Sequence, residues 1–195
     1  MESLRNSKRW KKLLKYAVKT QSDSFKKTMY PGYAALLAEL WEKDQYYRFR
    51  LGAAIKLGDT VATNILWKKM RVADSVNATV SALTGIIEKI GWPTTTKVGK
   101  AGAGTAFLII DHSSREVMEK YLPFLEDAAQ KGEASMSNYA TLKDRVLVNR
   151  GKKQIYGTQK YWDETQKKFV YFPIEDEKNV NQKRKEAGLE ALPDF

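Results

Sequence analysis

The chain has no cysteine and only one histidine among its 195 residues. The missing cysteine excludes disulfides, thiolate zinc sites and cysteine nucleophiles together, and it fits a reducing compartment. A lone histidine excludes a multi-histidine metal centre within one chain. A carboxylate site for Mg²⁺ or Ca²⁺ would need a loop such as D-x-D-x-D-G, which is absent, so neither a metal nor a cofactor is expected. G-x-S-x-G, P-loop, H-E-x-x-H and dinucleotide fingerprints are also missing, which disfavours the common hydrolase, NTPase, zincin and Rossmann classes. Long apolar runs are lacking too. The longest, around residues 106–110, is far too short to span a bilayer. Near the N-terminus, Lys15, Tyr16 and Lys19 interrupt Leu13, Leu14, Ala17 and Val18, so no secretory segment forms. A cytoplasmic protein that is not transmembrane is the expectation.

What is present is ordinary for a globular chain: 43% hydrophobic and 29% charged residues, with length enough for one hydrophobic core. The formal charge of +11 is unevenly placed. Residues 1–28 hold nine Lys or Arg against Glu2 and Asp23, a net +7 that makes up most of the excess. Trp10, Leu13, Leu14, Ala17 and Val18 recur at three- and four-residue steps, so this arm reads as an amphipathic helix with a broad cationic face. It would either pack on the domain or meet nucleic acid or another anionic surface. Pro31-Gly32 marks the joint. The expected organisation is therefore a basic arm and joint, 1–32, and one globular domain, 33–195.

Along the domain, helical periodicity is clear from Ala34 to about Leu51, Thr60 to Met70 and Asp74 to Ile90, with Asp74 as an N-cap and Gly91-Trp92-Pro93 as a stop. A polar loop from Thr94 to Lys100 precedes a small, apolar helix, Ala101–Ile110. A helix begins at Ser113 or Ser114 and ends near Gly132, and a shorter one covers Ser135 to Leu142. Arg145–Asn149, Gln154–Gln159 and Phe169–Phe172 are rich in Val, Ile, Tyr and Phe and read as a hairpin plus a third strand. The charged tail, Glu175 to Ala187, reads as a terminal helix or ordered loop. The fold class expected is α+β, mainly α: a helical body with a small antiparallel sheet near the C-terminus.

Several short strings then combine into a recognisable series. They are Asp44-Gln45 with Arg48, Asp74 with Asn77, Gly91-Trp92-Pro93, Val98-Gly99, Phe107-Leu108-Ile109-Ile110 leading to His112, Asp144-Arg145-Val146, Gly151–Gln159, and Asn179-Val180 with Arg184, Gly188 and Leu189. Over roughly residues 36–192 the chain resembles a bacterial family known as domain of unknown function 6624. The resemblance implies no activity. It does mark one departure: where that family usually shows Gln-His-Ala-Asp, this chain reads Asp111-His112-Ser113-Ser114, keeping the histidine and losing the acid two positions later.

The candidate site follows from side-chain chemistry. His112 carries the only side-chain type that ordinarily exchanges protons near neutrality, and it sits where an apolar helix meets a polar turn. The alternative is a histidine that merely caps the helix. Arg145 suits a carboxylate or phosphate, and Asp144 either orients it, accepts a proton or forms a structural ion pair. Strand alternation would set Gln154, Tyr156 and Thr158 on one face and Ile155 and Gln159 on the other, a row suited to recognition. Asp44, Gln45 and Arg48 share a helical turn and form a second polar wall if that face is buried. The expectation is a pocket for an anionic small molecule. His112 and Asp144 are its catalytic candidates, and Arg145, Gln154, Tyr156, Gln159, Asp44, Gln45 and Arg48 are its binding candidates. Action through the basic arm, or a purely structural role, is the alternative.

Overall fold

The computed structural model describes residues 27–75 and 78–193; the basic arm and the expected packing of its apolar stripe lie outside them. Helix α1, Pro31–Lys56, opens with proline in its first turn, where the missing N–H costs nothing. Its inward stripe is Ala34, Leu37, Leu40, Asp44, Leu51 and Ala54, spaced for one helical face, with an acid among apolar residues. Helix α2, Thr60–Ser75, returns along α1. Helix α3, Ala78–Ile90, ends at Gly91, whose φ of +67° is the left-handed conformation a helix stop favours. Trp92 then enters the core against Tyr121.

Helix α4, Thr95–Asp111, is the central helix of the body and packs against α1, α3, α5 and α6. Its small residues allow that crowding. A Cβ on Gly102 would lie 2.8 Å from Cγ2 of Val98, one turn back on the same helix, and 3.3 Å from Leu37 Cδ1 of α1, so glycine relieves crowding from both sides. Helix α5, Arg115–Gln130, and helix α6, Met136–Asn149, complete the body. One core cluster joins Leu37, Leu83, Ile86, Ile109, Leu125 and Leu142 with their neighbours from α1, α3, α4, α5 and α6.

The small sheet is a single antiparallel hairpin, β1 (Lys160–Asp163) with β2 (Lys168–Tyr171), in the register Lys160↔Tyr171 to Asp163↔Lys168. A one-turn 3₁₀ segment, Glu177–Asn179, leads into helix α7, Val180–Glu186. Ile174, Val180 and Leu192 form a second, minor core under this C-terminal segment.

Four sequence expectations need correction. Arg145–Asn149 is the last part of α6 and not a strand: Tyr139, Leu142 and Val146 keep a helical spacing into the core, and that burial overrides the β-preference of Val146 and Val148. Gln154–Gln159 is an irregular loop whose only ladder contact is an isolated bridge, Gln154↔Ile174, so the alternation expected of its side chains does not exist. The hairpin instead pairs the strand expected as third with Lys160–Asp163, and residues 164–167 make its turn. Thr94–Lys100 is the start of α4, capped by Thr94 and kinked at Gly99, and Asp74 lies within α2 instead of capping α3.

Candidate functional site

The sequence candidates divide into two groups on opposite faces of one short stretch of α6. Asp144 and Arg145 are neighbours, and successive helical residues point about 100° apart. They therefore face different surroundings.

Asp144 is fully buried. Its carboxylate accepts from the backbone N–H of Ile155 at 2.7 Å, Tyr156 at 3.1 Å and Thr158 at 3.0 Å, and from the Thr158 hydroxyl at 3.0 Å. Those N–H groups have no strand partner, so the carboxylate takes the place of a ladder. Gln154 is also fully buried. Its Nε2 donates to the Gln159 and Phe172 carbonyls at 3.0 and 2.8 Å, and its Oε1 accepts from the Gln159 N–H at 2.9 Å. Gln159 Nε2 donates to the Thr158 hydroxyl at 3.0 Å. Arg184 from α7 closes the outer side, donating to the Tyr156 carbonyl at 2.7 Å. Gly157 adopts φ +65°, and a Cβ there would sit 2.8 Å from Leu192 Cδ1. The Tyr156 ring rests edge-on against Tyr139, and burial, then the Asp144 charge, push its phenol above the ordinary tyrosine range. This group is a self-satisfied loop.

The other face of α6 turns Arg145 to Asp111 at the C-terminus of α4, and the next residue, His112, meets the middle of α1. His112 follows the last residue of α4 and caps it, its N–H reaching the Leu108 carbonyl at 3.0 Å. Its ring Nδ1 lies 2.9 and 3.1 Å from the two carboxylate oxygens of Asp44, the acid in the inward stripe of α1. Asp44 is buried and also accepts from Gln45 Nε2 at 2.8 Å. Arg48, one turn on, lies 3.6 Å from Asp44 but spends its better bonds elsewhere. It donates to the Asp44 carbonyl at 2.7 Å and to both oxygens of Asp74 at 2.9 and 3.0 Å, fastening α2 to α1. With Nδ1 turned to the carboxylate, Nε2 makes no hydrogen bond among the described residues, and it is not buried.

Arg145 stands on the far side of Asp111, the residue before His112. Its Nε comes within 2.9 Å of Asp111 Oδ1, yet neither atom has a partner at hydrogen-bond angle. Burial pushes the Asp111 carboxyl above the ordinary carboxylate range, against the pull of Arg145, His112 and Arg48; nearby Asp44 pushes the same way as burial. Asp111 thus feels both halves of the cluster. The sequence reading gave Asp111 no part in the site and read Asp74 as a helix cap, since nothing local pairs Arg48 with a residue 26 positions away. The signal available for Asp44 was an acid at a core position of α1.

A groove of about 450 Å³ between α1 and α4 approaches this cluster. Ala38 and Trp41 line it from α1, and Gly104, Thr105 and Leu108 from α4, with Lys100 and Asn138 also on its wall. His112 does not line it. Leu108 and His112 are four apart on α4, as are Trp41 and Gln45 on α1, so the groove ends about one helical turn short of the His112–Asp44 contact. Among the described residues no group of three or more His, Asp or Glu side chains is placed to hold a metal ion, and no helix is long and apolar enough to cross a membrane.

Comparison with curated proteins finds no match, and comparison with solved structures finds none. A family model does match, over residues 34–195, which takes in every residue of both groups and leaves the basic arm outside. The chain belongs to that family, described as a family of unknown function, DUF6624.

Proposed function

We propose that the chain binds a small anionic molecule at the His112–Asp44–Arg145 cluster and moves a proton there. The observation that carries this reading is the contact between His112 Nδ1 and a buried carboxylate, with Nε2 accessible. A carboxylate on Nδ1 fixes the ring's tautomer and orientation and leaves the Nε2 lone pair as the outward base. Arg145 is the anion clamp. Its Nε and Asp111 Oδ1 are buried without good hydrogen bonds, and a bound acid or hydroxyl group would supply the missing partners. Gln45 and Arg48 hold Asp44 in place. In this reading Asp144, Gln154, Gln159 and Tyr156 build the wall behind Arg145 and do not touch the ligand.

The single histidine makes the test direct. Long-range ¹H–¹⁵N spectra of the full chain should show the neutral His112 ring protonated at Nδ1, and Asp44→Asn should scramble that tautomer. A ring protonated at Nε2 in the native chain would sink the proposal. A thermal-shift screen of carboxylic and phosphoric acids then supplies a ligand. Arg145→Lys should weaken its binding by roughly 1.5–3 kcal/mol, the scale of a charge-assisted bond. If turnover accompanies binding, His112→Ala should lower it by about 10²–10⁴-fold while sparing affinity. Wild-type binding by a folded Arg145→Lys chain would place the ligand elsewhere.

A further inference from the structure

Helix α2 has apolar residues on two opposite sides. Its inner side, Ala62, Leu66 and Met70, is half-buried against α1. Its outer side repeats Val61, Ile65 and Val72 at the four- and seven-residue steps that make one stripe, yet Val61 is 69% and Val72 61% exposed. At the tip joining α1 to α2, Leu57 is 80% exposed and Ile55 is exposed as well. No residue of α2 with a described side chain is buried. An amphipathic helix ordinarily turns its apolar residues to the core, so an apolar stripe left outside marks a contact surface.

The charge around it selects the cover. Lys68 lies in the stripe, Lys69 and Arg71 flank it, and Lys56 sits at the tip; all are exposed. The acids nearby are already engaged: Asp74 with Arg48, and Asp59 with the N–H of Ala62 at the start of α2. A second copy packed stripe to stripe would set these cations against their own counterparts. Two concavities open along α2, one lined by Tyr47 of α1 with Lys68, Lys69 and Val72, the other by Trp67, Lys68 and Arg71, so the hollows beside the stripe are cationic.

We propose that the α1–α2 tip and the outer stripe of α2 dock on an anionic bilayer surface. Leu57, Val61 and Ile65 enter the boundary of headgroups and acyl chains, while Lys56, Lys68, Lys69 and Arg71 meet lipid phosphates. The helix lies in the interface and does not cross it. This docking is independent of the His112 chemistry and of the basic arm.

The test uses the full chain with vesicles of phosphatidylcholine alone and of phosphatidylcholine with phosphatidylglycerol in equal parts. Co-sedimentation is expected with the anionic vesicles only. Because the arm is also cationic, two variants separate the contributions: Leu57→Asn/Val61→Asn/Ile65→Asn and Lys68→Gln/Lys69→Gln/Arg71→Gln. Each replaces exposed side chains, so both should keep the native circular dichroism, and each should lower partition by about tenfold or more. The absence of native cysteine permits a single reporter. A fluorophore on Leu57→Cys should shift to the blue on anionic vesicles, and one on Lys152→Cys should not. No anionic binding, or binding that both variants retain in full, overturns the proposal. A concentration-dependent dimer that the apolar variant abolishes would assign the stripe to a second copy and overturn it equally.

Discussion

Asp144 shows how far one side chain can act as structure. Four donors converge on its buried carboxylate, three of them backbone N–H groups of a loop with no ladder of its own. An asparagine in its place would keep the shape but turn an N–H₂ toward donors, leaving at least one of them buried and unpaired. Asp144→Asn should therefore destabilise the fold by roughly 2–4 kcal/mol, measured by urea denaturation, since lost charge-assisted bonds and an orphaned donor add. A variant as stable as the native chain would free Asp144 for the chemical role its sequence position suggested. Arg145, one residue on, has the opposite character, half-exposed and short of good bonds. Adjacent letters in the motif thus carry different duties, which the string Asp-Arg-Val does not reveal.

At the scale of elements, α5 and α6 are tied at the surface by one acid. Glu119 of α5 accepts from Arg115 Nε on its own helix and from Arg150 Nε at the cap of α6, both at 2.8 Å. Arg150, then Arg115, hold the Glu119 carboxyl down to about 2 from an ordinary 4.5. A carboxyl lowered on folding contributes stability that is fully present above its unfolded value and lost as pH falls toward the folded one. The native chain should therefore lose melting temperature relative to Glu119→Gln as pH drops from 4.5 to about 2. Parallel acid profiles for the two chains would show the link to be inert. The helices themselves were legible wherever apolar spacing, caps and stops agreed: Gly91 ends α3, and Ser135 caps α6 by accepting from the Asn138 N–H. Pro31-Gly32, expected as a joint, is instead the first turn of α1. The end of α6 was not legible, because Val146 and Val148 favour strands locally and only the core of α4 and α5 makes the helical face worth more.

At the scale of the whole molecule, the family match begins at residue 34. Ahead of it, the Met29 and Tyr30 N–H groups donate to the carbonyls of Thr96 and Lys97 at 3.3 and 2.9 Å, tying this stretch to the start of α4. A deletion of residues 1–26 keeps those bonds, and its melting temperature should fall by no more than a few degrees, the shift of about 1 kcal/mol in a domain this size. A large fall would show that the arm's apolar stripe belongs to the core.

The sequence by itself determined the helical body, the position of the small sheet near the C-terminus, and the chemical limits set by one histidine and no cysteine, because periodicity, capping and composition act locally. It also singled out His112, Asp44 and Arg145 as separate points. Only the tertiary structure decided that Asp44, 68 residues before His112, is its carboxylate partner, that Asp111 stands between His112 and Arg145, and that Gln154 and Asp144 face inward. Those assignments depend on which residues of α1, α4, α6 and the loop after it come together when the chain packs, contacts between distant segments that no local pattern encodes.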